Sequence, residues 1–167
     1  MCLVCAVFIA GCDEERAAGR SYREASERMV SARAFLSQQA GKQGVERTRS
    51  GLLYRIERRA QGANTVGPRP RDEVLVHYRG ALADGEEFEA SYDRNTPARF
   101  ALRDVIAGWR EGLQLMRAGD RFVFYIPPQL GYGPHGRPPV IPANAVLIYE
   151  VELLAVYRVQ SAAELPS

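Results

Sequence analysis

Apolar positions fall into three patterns along these 167 residues, and each predicts a different element. Between Asp13 and about Gln39, the residues Tyr22, Ala25, Met29, Ala32 and Leu36 recur at spacings of three and four. That stretch has no proline and is rich in Ala, Glu, Arg and Gln, so it predicts one amphipathic helix. Gly41 and Gly44 end it. From Ser50 the period drops to two. Leu53 to Glu57 alternate, residues 62–70 read as a turn-rich loop, and Val74 to Tyr78 predict a strand closed by Gly80 and reopened after Asp84-Gly85. Residues 87–91 and 99–102 predict short strands, 121–126 a strand with Phe122, Phe124 and Ile126 on one face, and 145–156 a last long strand. Among them sits one short helix, 105–116, with Asp104 placed to cap it through its carboxylate. Gly108 and Gly112 share a face of that helix and let it lie close against a sheet. Strands gathered around one short helix predict an α+β fold, with an antiparallel sheet covering that helix and the longer helix preceding it. The third pattern is an uncharged leader, residues 1–11, whose apolar run is too short to span a bilayer.

Composition narrows the function. Charges are interspersed and the net charge is +2, so there is no clustered basic face of the kind that nucleic acid requires. Cys2, Cys5 and Cys12 are the only cysteines, which excludes a disulfide framework or a structural zinc site inside the domain. His77 and His135 stand far apart and isolated, so no metal and no cofactor are predicted. No nucleophile elbow, phosphate loop or dinucleotide fingerprint occurs, and covalent catalysis has no candidate. What remains is a set of aromatic residues, ordinarily core, and one unusual segment. Pro127 to Pro142 is rich in glycine and proline yet apolar at its far end, a pattern that predicts a binding flap between two strands.

The leader ends in Ile9-Ala10-Gly11-Cys12, followed at once by Asp13-Glu14-Glu15. Small residues before a cysteine resemble a bacterial lipobox, in which the leader is removed and Cys12 is acylated. The expected organisation is a removed signal at 1–11, then a lipidated stalk and linker at 12–48. A β-rich domain at 49–160 and a tail at 161–167 complete it. No Lys or Arg precedes the run, which departs from the usual positive start of a signal.

The order of motifs then becomes identifiable. VHYRG (76–80), DGEEFE (84–89), DRNTP (93–97), VIAGWREGL (105–113), LGYG (130–133), VIP (140–142) and LIYEVELL (147–154) resemble FKBP-type prolyl isomerases, collinearly from about Ser50 to Tyr157. Residues 34–56 resemble the helix-to-strand junction of the macrophage-infectivity-potentiator branch. The resemblance implies a twisted antiparallel sheet wrapped around one helix, and isomerisation of X-Pro bonds in exported proteins without metal or cofactor. It implies catalytic roles for Tyr78, Phe88, Glu89, Tyr132 and Tyr149, and a substrate pocket of Arg94, Phe100, Val105, Ile106, Trp109, Val140 and Ile141. Trp109 would form the floor, and the Tyr132 hydroxyl and the Ile141 N–H would hold substrate carbonyls. Implied partners are proline-containing polypeptides, macrolide inhibitors and a membrane reached through the lipid on the periplasmic side. The shortened helical stripe, about two heptads, implies a monomer or a weak homodimer. Glu89 in place of the family's usual Asp and Tyr149 in place of Phe leave a second reading, a non-catalytic proline-peptide or chaperone module. Ala98 stands where a larger residue is common, which widens one wall.

Overall fold

A computed structural model of the chain describes residues 10–61 and 67–159. The start of the leader, part of the 62–70 loop, the tail and the Cys12 side chain lie outside what is described. Helix α1, Ala10–Ala40, is followed by strands β1, Val45–Arg47, β2, Leu53–Arg58, β3, Glu73–Leu82, β4, Glu87–Ala90, and β5, Ala98–Ala101. Then come a 3-10 turn at Leu102–Asp104, helix α2, Ala107–Gln114, strand β6, Arg121–Ile126, and strand β7, Leu147–Tyr157. The seven strands form one antiparallel sheet in the order β1-β2-β6-β7-β3-β4, with β5 also paired to β3. The predicted α+β architecture is therefore the observed one.

The sheet buries its inner face against α2, while α1 covers part of the outer face around β1, β2 and β6, and the alternation of the strands assigns a side chain to each face. On the inner face, Val74, Val76, Tyr78, Phe122, Phe124, Ile126, Val151 and Leu153 pack with Leu113 and Trp109 of α2. Two glycines make that approach possible. A Cβ on Gly108 would stand 2.5 Å from Ile126 Cγ2, and one on Gly112 would stand 2.7 Å from the Phe124 ring. No side chain fits in that gap, so the shared glycine face anticipated from sequence is a contact requirement. On the outer face, Leu53, Val123 and Tyr125 receive Phe35 and Leu36 of α1, with the Phe35 and Tyr125 rings 6.4 Å apart. Only the C-terminal half of the helical stripe packs: Ala32 is 6 % exposed, whereas Met29 is 41 % and Tyr22 is 79 % exposed.

Three local readings need correction. Asp104 does not cap α2; it ends the 3-10 turn, and the helix starts after Ile106 with no side-chain cap. Leu102 is fully buried and anchors that turn, which displaces the helix start to Ala107. The second concerns Gly80, which does not close the strand: β3 runs through it to Leu82, paired along its length with β7. Finally, β1, a three-residue edge strand that is too short to show a period, was not anticipated.

Candidate functional site

At the N-terminal end of α2 the indole of Trp109 meets three rings edge-on. Its centroid lies 5.2 Å from Tyr78, 5.4 Å from Phe100 and 5.0 Å from Tyr149, at interplanar angles of 86°, 87° and 82°. Phe88 of β4 continues the set, 5.6 Å from Tyr149 and nearly perpendicular to it. Edge-to-face packing of this kind adds about 0.5–1.5 kcal/mol per pair beyond burial, so the rings form a rigid frame. Val105, Ile106, Leu130 and Tyr132 pack against it half-buried, and Ile141 is 2 % exposed. The Trp109 Nε1 is buried with no hydrogen-bond partner among the described residues, a sign of how apolar the floor is.

Polar groups hold the frame from behind. Ser91 Oγ accepts from the Tyr78 amide at 2.8 Å and donates to the Tyr78 carbonyl at 3.2 Å, while its own N–H reaches that carbonyl at 2.9 Å. His77 Nδ1 pairs with Ser91 Oγ at 2.9 Å, and its ring stacks on Tyr92 at 4.7 Å, so this histidine is structural. The Tyr78 hydroxyl donates to Glu89 Oε1 at 2.5 Å. Burial first, then that carboxylate, push the Tyr78 hydroxyl up to about 12, against a smaller lowering by Arg94. Burial likewise raises the Tyr149 hydroxyl, helped by Tyr132 and Glu89. Both phenols therefore stay protonated and neutral at any physiological pH.

Gly80 is central to this geometry. A Cβ there would lie 2.7 Å from Tyr149 Cε1 and 2.8 Å from the Phe88 ring. The residue that sequence reading takes as a strand stop is the gap through which these two rings meet.

The flap folds as two 3-10 turns, Pro128–Leu130 and Gly133–His135, closed by a bridge between Arg137 and Ile141. Arg137 N–H donates to the Ile141 carbonyl at 2.7 Å, and the Ile141 N–H donates to the Arg137 carbonyl at 3.0 Å. The Ile141 amide is therefore occupied, contrary to the role predicted for it. The Ile106 N–H, at the N-terminus of α2, has no acceptor among the described residues, and Ile106 packs against the rings. Arg137 Nη1 donates to the Tyr132 hydroxyl at 3.4 Å, and its guanidinium stands 5.9 Å from the Tyr132 ring centroid. The Arg137 charge is strengthened by that contact.

The structure thus brings together Tyr78, Phe88, Glu89, Phe100, Val105, Ile106, Trp109, Tyr132, Ile141 and Tyr149. It leaves Val140 50 % exposed on the outer flap, while Arg94 lies near the Tyr78 hydroxyl and forms no ion pair with Glu89 among the described residues. Ser91, Gly80, Arg137 and the Ile106 amide were missed in sequence; only Arg137, a cation inside the predicted flap, carried a readable signal.

Comparison with known proteins agrees with this geometry. Residues 65–154 match the family model "FKBP-type peptidyl-prolyl cis-trans isomerase", and residues 6–56 match "Domain amino terminal to FKBP-type peptidyl-prolyl isomerase". The FKBP-type peptidyl-prolyl cis-trans isomerase FkpA of Aeromonas hydrophila is 46 % identical over 136 residues, 81 % of this chain and 49 % of that protein. The peptidyl-prolyl cis-trans isomerase Mip of Coxiella burnetii is 43 % identical over 75 % of this chain and 54 % of its own length. The chain thus spans about half the length of these relatives. The crystal structure of FkpA from Escherichia coli superposes with a TM-score of 0.79 at 35 % identity, covering 86 % of this chain and 66 % of that one. With the family model covering more than half of its residues, the chain belongs to the FKBP-type peptidyl-prolyl cis-trans isomerase family.

Proposed function

We propose that this chain catalyses rotation about X-Pro bonds by binding a twisted amide against the aromatic frame around Trp109. The observation that carries the reading is the site's chemistry: four perpendicular ring contacts and neutral phenols at one end of α2. Amide resonance sets a barrier of about 18–20 kcal/mol. At the transition state conjugation is lost, the carbonyl oxygen carries less negative charge, and hydration is worth less to it. An apolar pocket therefore favours the twisted state over the planar one, which is the differential binding that raises a rate. No acid, base or nucleophile takes part.

In this reading Trp109 is the floor, Phe100, Val105 and Ile141 grip the proline ring, and the edges of Tyr78, Phe88 and Tyr149 face the rotating carbonyl. The Tyr132 hydroxyl accepts from Arg137, which leaves its own proton free to donate to a substrate carbonyl. The Ile106 amide replaces the Ile141 amide as the second anchor. Glu89 acts through Tyr78, and its extra methylene is absorbed by their hydrogen bond. Substrates are proline-containing segments of exported polypeptides; macrolides that mimic the twisted amide enter the same pocket, more weakly because of the Tyr149 hydroxyl. The catalytic unit is 49–160. Acylation of Cys12 holds it on the periplasmic side of a bacterial membrane, a reading supported by the IAGC sequence and the uncharged run before it. Palmitate labelling of growing cells tests the anchor: labelling lost in Cys12→Ser supports it, and labelling retained refutes it.

A protease-coupled assay on Leu-Pro and Phe-Pro peptides tests the activity. A rate well above background is expected. A folded protein that binds these peptides but gives no added rate would leave a binding module in place of an enzyme.

A further inference from the structure

The flap that carries Tyr132 has a second side. There Pro127, Pro128, Gln129 and Pro134 form part of the wall of a cavity of about 770 Å³, and α1 forms the opposite wall. None of the rings around Trp109 lines it. Arg33 from α1, Arg47 from the end of β1 and Arg49 from the turn after it open onto this space. Among the described residues no carboxylate forms an ion pair with any of the three, although arginines elsewhere are paired, as in Arg59–Asp120, Arg79–Glu87 and Arg99–Glu73. Two donors also converge. Arg47 Nη2 and Gln129 Nε2 each lie 3.8 Å from the point that a Cβ on Gly51 would occupy. Gly51 has φ +96° and no side chain to fill that point. A guanidinium and a side-chain amide therefore both border the space over Gly51.

We propose that this groove binds an extended acidic segment of polypeptide, with carboxylates seated between Arg47, Arg49 and Gln129. Guanidinium forks match carboxylates in geometry and charge. The volume falls within the range of pockets that enclose a ligand rather than graze it. Its concave shape suits a chain and not a flat bilayer surface, and Met29 and the half-buried Leu36 offer apolar contact beside the charges. The choice of a polypeptide over a small anion rests on the prolyl reading of the opposite side of the flap. The site would hold an acidic stretch of a client while its prolines reach the pocket.

The test is fluorescence anisotropy of the full chain with labelled proline-free 12-residue peptides that differ only in carrying Glu, Gln or Lys. Binding of the Glu peptide alone is expected, weakened at least fivefold in Arg47→Gln/Arg49→Gln and about tenfold by raising salt from 0.05 to 0.5 M. Isomerase activity on a short neutral Leu-Pro peptide, measured in parallel, stays unchanged in that variant. Because binding is read without proline, it fails or succeeds separately from the catalytic reading. Equal binding of the Glu and Gln peptides, or full affinity in a folded double variant, overturns the proposal. Binding to phosphatidylglycerol vesicles without binding to the Glu peptide overturns it in favour of a membrane surface.

Discussion

Replacing Gly80 by Ala probes the pocket without removing any group from it. The new Cβ would lie 2.7 Å from Tyr149 and 2.8 Å from Phe88, about 0.7 Å inside the 3.4 Å at which ordinary contact begins. Neither ring can retreat freely, because Tyr149 is held against Trp109 at 5.0 Å and Tyr78 at 6.3 Å. Overpacking of this size costs about 1–3 kcal/mol, a fall in Tm of about 3–10 °C for a chain of this length. Displacing catalytic groups by about 1 Å can lower rates by about 100-fold; here the shift is smaller and shared, so kcat/KM falls about tenfold, or ~1.4 kcal/mol. Protease-coupled isomerisation of a Leu-Pro peptide, beside thermal melting, reads both. Leu53→Ala is the matched control, since Leu53 is buried under α1 on the other face of the sheet. It costs about 2–5 kcal/mol of stability and leaves the rate of the folded protein unchanged. A Gly80→Ala protein with normal kcat/KM would refute the claim that the Phe88–Tyr149 arrangement matters.

Further outcomes follow from the same geometry. Phe88→Ala removes a ring from the frame and lowers kcat/KM more than tenfold, while Tyr132→Phe, which deletes only one hydroxyl, lowers it about two- to tenfold, corresponding to ~0.5–1.5 kcal/mol; the same assay ranks them. Gly112→Ala drives a methyl into the Phe124 ring at 2.7 Å and lowers Tm by several degrees, measured by circular dichroism. Burial alone would raise the Asp72 carboxyl, but the Arg69 and Val159 amides and the Arg158 guanidinium outweigh it and hold it below the usual value. A depressed carboxyl adds stability that is present above the unfolded pKa near 4 and lost as pH falls through the folded pKa. Asp72→Asn therefore melts lower than the parent at pH 7 and loses less on acidification below pH 4, as melting curves across pH 2–7 would show.

The sheet was legible because its inner face is buried against α2 while its outer face is covered only in part, so buried and half-exposed positions alternate along β3 and β7. Alternation at Phe122, Phe124 and Ile126 was enough to place β6. Spacing also revealed that Gly108 and Gly112 share a face, and the structure supplies the clash that explains them. The start of α2 was not legible. Asp104 has the chemistry of a cap, yet the buried side chain of Leu102 winds the preceding residues into a 3-10 turn and moves the cap position to Ile106. Gly80 was misread for a related reason: local propensity takes glycine as a break, while tertiary packing uses the space it leaves. The Ile141 amide failed because a hydrogen bond across the flap, from residue 141 back to 137, has no signature in composition or period. Ser91 escaped notice because a serine that clamps its neighbour strand looks like any turn serine.

The central claim is that an apolar pocket stabilises a twisted amide with no proton in flight. Its most direct test is the rate of Leu-Pro isomerisation by the full chain in H2O and in D2O. The account predicts a catalysed rate well above background with a ratio of about 1, since no group here acts as a general acid or base. A ratio of about 2 or more, or no catalysed rate at all, would contradict it.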